Sequence, residues 1–181
     1  RSVNTKLGGP MPNWVHNEIE IHGDDLQEFY NKHIVNGEFD FSTIIPIPLS
    51  DDEYHGTDIT TLANGEQYRT GGMWYEWNVN NWGTKWNAKD TQAYDLVENG
   101  FVSFQTAWSP PGPVMDALAK MYPNIDFEWK FVEEQGWGGV REYSDGRKQI
   151  TKTRDWDIPT THEERMEIFD YCYACAHASN K

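Results

Sequence analysis

Residues 101–131 read FVSFQTAWSPPGPVMDALAKMYPNIDFEWKF, and this stretch decides the fold class. Phe101, Val102, Phe104 and Thr106 form an apolar, partly β-branched run that predicts a strand. Ser109-Pro110-Pro111 then opens a helix, because proline suits a first helical turn, where its missing N–H has no partner to lose. Val114, Ala117, Leu118 and Met121 fall on one stripe at helical spacing, and Pro123-Asn124 ends it. Ile125, Phe127, Trp129 and Phe131 alternate with polar residues, the period of a half-buried strand. The stretch is strand, helix, strand.

The same grammar extends outward. Trp14 to Ile21 ends in alternation, with Ile19 and Ile21 facing one way and His22-Gly23 closing a strand. Asp24, with Gln27 in the return position, predicts a capped helix start. Leu26, Phe29, Tyr30, His33 and Ile34 follow at helical spacing, and Asn36-Gly37 reads as the stop. Phe39, Phe41 and Ile44-Ile45 predict a second strand, ended by Pro46 and Pro48. Residues 49–72 are polar and glycine-rich, a loop with Asp51-Asp52-Glu53 as a solvated acidic patch. Tyr94 and Leu96 stand across Glu98-Asn99-Gly100 from the 101–106 run, which is a hairpin signal. Gly136 to Gly139 turns the chain into a last strand around Val140 and Tyr143, with Asp145-Gly146 as its turn.

Two β-α-β halves of this size fit an α+β fold. The expected form is a ferredoxin-like split βαβ sandwich, with helices on one face of an antiparallel sheet and an insertion between the halves. An extra C-terminal helix is expected over 161–177. Thr161 and Glu164 form its capping box, and Met166, Phe169, Cys172 and Cys175 or Ala176 face inward. Residues 11–181 read as one domain. Residues 1–10, RSVNTKLGGP, read as an unfolded lead-in, either added or native, before a start at MPNW.

The chain has 181 residues, 38% hydrophobic and 24% charged, which is a globular composition with room for one core. Its formal charge is −14, and discounting Arg1 and Lys6 makes it more negative by two. A field of that sign repels phosphate backbones and attracts basic partners. No apolar run nears the roughly 20 residues of a membrane helix, and two cysteines make no disulfide framework. The expected location is the bacterial cytoplasm.

The densest feature is the block 73–87, MWYEWNVNNWGTKWN, which holds four of the nine tryptophans. Trp74, Trp77 and Asn81 lie at helical spacing, with Gly83 as the stop. Most of these rings are expected to pack into the core. Some are expected to form a recognition surface, because indole combines a large apolar area with one N–H donor. The candidate partner-binding residues are Trp74, Trp77, Asn81, Trp82, Lys85, Trp86, Asn87, Trp108 and Glu134. Asn81, Lys85 and Asn87 resist burial and mark the side that meets a ligand.

The segments MPNW (11–14), WYEWNVNNWGTKWNA (74–88), FQTAWSPP (104–111) and EEQGWGG (133–139) occur in this order. Together they resemble the Api-like (YubB-type) family of phage- and plasmid-borne proteins, over Met11 to Gly146. The resemblance implies a ferredoxin-like domain and a mobile genetic element. It implies no activity and no catalytic residues.

Other chemistry has weaker signals. Cys172-x-x-Cys175 with His177 lacks the second ligand pair of a zinc site, and the pair falls late in a helix rather than at a redox-active start. Buried reduced cysteines are the expectation. The histidines are scattered, with no HExxH or GxSxG motif, so no catalytic residue, metal or cofactor is assigned. Glu133-Glu134-Gln135 reads as a solvated strand end, with acid–base work beside the aromatics as the alternative.

Three functions remain. The first is a non-catalytic interaction protein of a mobile element, binding a host or phage protein beside Trp74–Trp86; one variant imitates nucleic acid with its carboxylates. The second is single-stranded nucleic-acid binding on a sheet platform of Phe39, Phe41, Phe104 and Trp129. The third is an enzyme with a pocket between the aromatic block and Trp108-Ser109-Pro110-Pro111.

Overall fold

A computed structural model describes residues 12–164. Cys172, Cys175, His177 and most of the expected C-terminal helix lie outside the described residues. At that helix's start, Glu164 accepts from the Thr161 N–H (3.0 Å) and the Thr161 hydroxyl accepts from the Glu164 N–H (3.1 Å).

The chain runs through β1 (Trp14–His22), α1 (Leu26–His33), β2 (Ile34–Val35), β3 (Glu38–Phe39), α2 (Asp51–His55), β4 (Asp58–Thr61) and β5 (Gln67–Thr70). It continues through α3 (Trp74–Asn81), β6 (Lys89–Gln92), α4 (Leu96–Asn99), β7 (Phe101–Ala107), α5 (Gly112–Met121) and β8 (Asp126–Glu133). β9 (Gly138–Ser144), β10 (Arg147–Lys148) and β11 (Arg154–Trp156) follow.

The main sheet has the order β10-β9-β8-β1-β7-β6, every neighbour antiparallel, and β11 also pairs with β9. Taking β1, α1, β6, β7, α5 and β8 alone, the strand order is fourth, first, third, second. That is the split βαβ of the ferredoxin-like fold.

Val15, Asn17, Ile19 and Ile21 on β1, Val102, Phe104 and Thr106 on β7, and Phe127, Trp129 and Phe131 on β8 are buried on one face. Phe29 of α1 and Val114, Met115, Leu118 and Ala119 of α5 join the same core. The strand period of two sends His16, Glu18, Glu20, Ser103, Gln105, Glu128 and Lys130 to the opposite face.

Several expectations are corrected. The second strand of the first half is β6 rather than Phe39–Ile45, so residues 34–88 lie within that half. Phe39, Phe41 and Ile44 are nonetheless buried, on a two-residue strand and a 3-10 turn. Asn36 and Gly37 (φ +52° and +82°) form the β2–β3 hairpin turn instead of stopping the helix. Asp25 caps α1 with φ +63° and no side-chain bond, so the box expected from Asp24 does not form. Residues 49–72 hold α2, with a full capping box from Ser50 and Glu53, and the β4–β5 hairpin. Asp51 and Asp52 there grip Arg69. Leu96 to Gly100 is a helical turn, not a hairpin.

The nucleic-acid platform is overturned as well. Phe39, Phe41, Phe104 and Trp129 are at most 2% exposed, under the helices, so no base can stack on them. On the open face His16 instead bonds Glu18 (3.1 Å) and Gln105 (2.9 Å), and Lys130 pairs with Glu128 (3.0 Å).

Asn17 ties the sheet together from inside. Its amide donates to the Val15 carbonyl and to Thr106 Oγ1, both at 3.0 Å, and its Oδ1 accepts the Trp129 indole N–H at 3.1 Å. Asn17→Leu strands that buried indole donor. A loss of about 2–3 kcal/mol is expected, read as a lower urea midpoint at unchanged slope.

Candidate functional site: an aromatic strip around Lys85

The strip is assembled where β1 begins and β7 ends. Helix α3 is anchored through Asn78, which is buried: its Oδ1 accepts from the Tyr54 hydroxyl (2.7 Å) and its amide donates to the Lys85 carbonyl (3.0 Å). Gly83 (φ +79°) then turns the chain, as its position in the sequence predicts. Thr84 donates to the Ala107 carbonyl at 2.9 Å, which lays Lys85 beside the end of β7.

Trp108 follows directly, with φ +73°, a left-handed conformation that is costly for a bulky residue. Its N–H donates to the Asn13 carbonyl (2.8 Å), and Ser109 Oγ donates to the Gly83 carbonyl (2.6 Å), so both flanks hold the strain in place.

The result is a row of side chains. Trp74 meets Tyr75 with ring centroids 5.8 Å apart, and Tyr75 meets Trp108 at 5.9 Å. The Lys85 ammonium lies 4.1 Å from the Trp108 ring and 4.8 Å from the Trp86 ring. Trp86 in turn meets Trp14 at 5.9 Å. Trp108 is 44% and Tyr75 45% exposed, while Trp74, Trp86, Trp14 and Lys85 are half-buried. Burial pulls the Lys85 ammonium's pKa below its usual value. Glu134, exposed, donates its backbone N–H to the Trp14 carbonyl (3.1 Å) and stands at that end.

Trp74, Lys85, Trp86, Trp108 and Glu134 therefore share one surface. Trp82 does not: it is 1% exposed, its indole N–H is bonded to the Ile45 carbonyl (3.0 Å), and its ring packs on Phe41 and Trp77. Trp77 itself is packed against the core. Asn87 is also internal in role. Its Oδ1 accepts from the Phe41 and Ala88 N–H groups (2.9 Å each), and its amide donates to Asp40 (2.8 Å), which joins the two ends of the 34–88 stretch just before β6. Asn81 caps its own helix by donating to the Trp77 carbonyl (2.9 Å).

Tyr75 and Trp14 belong to the strip but escaped the sequence reading. Tyr75 is a single step off the Trp74/Trp77 spacing, and Trp14 is distant in sequence; its one signal was membership of the MPNW segment.

The other candidate chemistry fares differently. Glu133 is 2% exposed rather than solvated. It pairs with Val15 and so shares the helix-side face, turned away from Trp14. One of its oxygens accepts the Gln135 N–H (2.7 Å), and the other has no hydrogen-bond partner among the described residues. Between the block and Trp108–Pro111, the Thr84 and Ser109 hydroxyls bond the two segments directly to each other. A Cβ on Gly83 would stand 2.7 Å from Pro113.

Among curated proteins none matches the sequence. Among solved structures, the crystal structure of a protein api92 from Yersinia pseudotuberculosis is similar, at 15% identity and a TM-score of 0.46. The match covers 67% of this chain and 41% of that one, so the chain spans about two fifths of its length. Residues 81–172 match the family model of the ferredoxin-like domain in Api92-like protein. That match takes in β6, β7, α5, β8 and β9, more than half of the chain, and on it the protein belongs to the Api92-like family carrying this ferredoxin-like domain.

Proposed function

We propose that the protein is a non-catalytic interaction protein of a phage or plasmid, acting in the cytoplasm of a bacterial host, and that it engages a host or phage protein through the strip. The observation that carries this reading is the open pair Tyr75 and Trp108, whose Trp108 ring lies over Lys85. Large rigid rings at the surface, held by a strained backbone, are what protein interfaces use as anchors. The mobile-element setting rests on the motif resemblance alone. The acidic charge favours a partner surface that is otherwise neutral or basic.

The test is affinity capture from a bacterial lysate with the full chain and its Trp108→Ala variant, the bound proteins being identified by mass spectrometry. One or a few proteins held by the native chain should fall at least about tenfold with the variant, while the circular dichroism spectrum stays unchanged. An identical set on both would refute the strip as the interface.

A further inference from the structure

Among the described residues, Lys85 is the one cation seated in the strip. It lies between two indole rings, and among the described residues no carboxylate pairs with it, although the chain carries 29 acidic residues. The other half-buried cations behave differently: Arg141 pairs with Asp155, Lys130 with Glu128, and Arg69 with Asp51 and Asp52. A partly desolvated ammonium over aromatic faces is incompletely compensated, and a carboxylate brought to it makes a charge-assisted bond stronger than one in open water.

The positive-φ backbone at Trp108 is a second, independent feature of the same spot. It fixes that ring against the ammonium, with Tyr75 continuing the apolar surface. Resting on the strip reading above, we infer that Lys85 reads a single Asp or Glu side chain on the partner protein, next to an aromatic or long apolar residue that lies on Trp108 and Tyr75. The partner segment is otherwise neutral or basic, because the −14 field and the exposed Glu76 and Glu134 repel an extended polyanion.

The measurement is a titration of the 15N-labelled full chain with blocked tetrapeptides, following the indole N–H signals of Trp86 and Trp108. The probes are acetyl-Gly-Phe-Glu-Gly-amide and its Gln and Lys counterparts. The Glu peptide should bind about fivefold more tightly than the Gln peptide. Lys85→Met should erase that preference and Lys85→Arg restore it.

Equal binding of the Glu and Gln peptides, or tightest binding of the Lys peptide, overturns the carboxylate inference and leaves the strip standing as a contact surface. If no peptide moves either indole signal, both readings fall. Displacement of the Glu peptide by a short oligothymidylate at low salt would assign the site to nucleic acid and overturn the inference.

Discussion

Gly100→Ala is expected to lower stability by about 4 kcal/mol, a large share of the 5–15 kcal/mol that holds a typical domain together. Gly100 ends α4 at φ +74°, which alone costs an alanine about 1 kcal/mol. The rest is collision. A Cβ there would stand 2.0 Å from the Ile21 carbonyl oxygen, and Gly100's own carbonyl accepts the Ile21 N–H at 2.8 Å. The turn cannot retreat without parting from β1, the strand at the centre of the sheet. Gly65→Ala is the control: φ is +83° there, but a Cβ would have nothing within 4 Å among the described residues, so only the backbone cost of about 1 kcal/mol remains. Thermal melts should separate the two variants by roughly 6–12 °C. Equal melting points would remove the collision from the account.

Gly100 also shows what the sequence can and cannot carry. Asn99-Gly100 signals a left-handed residue correctly, but a helical turn and a hairpin both end on one, so the signal does not choose between them. β1, β7, α5 and β8 were legible because each has one face in the core, and burial imposes its period on the residues. β6, Lys-Asp-Thr-Gln at 89–92, has no apolar residue to alternate. It is the last strand of the sheet's path and is held by its β7 ladder and by polar bonds: Thr91 Oγ1 accepts the Phe39 N–H (2.9 Å), and Glu38 accepts the Thr91 N–H (3.0 Å). Phe39, Phe41 and Ile44 mimic a strand because the gap beneath α1 must be filled, and that requires apolar volume rather than a ladder. The site followed the same logic. Trp82 and Trp108 are the same residue type, and only the three-dimensional path decides that one is sealed and the other open.

Acidification through the range from pH 6.5 to 4 is expected to cost the fold about 2–3 kcal/mol through His33 alone. His33 is wholly buried among Phe29, Phe39 and Tyr122. The Thr43 hydroxyl donates to the Asp40 carbonyl (2.6 Å), so its oxygen is left to accept from His33 Nδ1–H (2.6 Å). That leaves Nε2 as acceptor for the Tyr122 hydroxyl (2.7 Å), and the ring is neutral with both nitrogens used. Burial first, then Lys32 nearby, push its pKa down to about 4, against a smaller upward pull from Asp40. The unfolded chain therefore takes up a proton below about pH 6.5 that the folded chain refuses until about pH 4. The contribution is complete above that window and is lost as pH falls through it. His33→Gln keeps a donor and an acceptor but cannot titrate, so the variant is less stable than the native chain at pH 7 and the difference shrinks by about 2–3 kcal/mol at pH 4. Urea midpoints at pH 7, 5.5 and 4.5 follow that convergence. A difference that stays constant across the three would mean that His33 takes up its proton as readily in the fold as in the unfolded chain, with Nε2–H then donating to the Tyr122 hydroxyl at low pH while Nδ1–H still donates to Thr43.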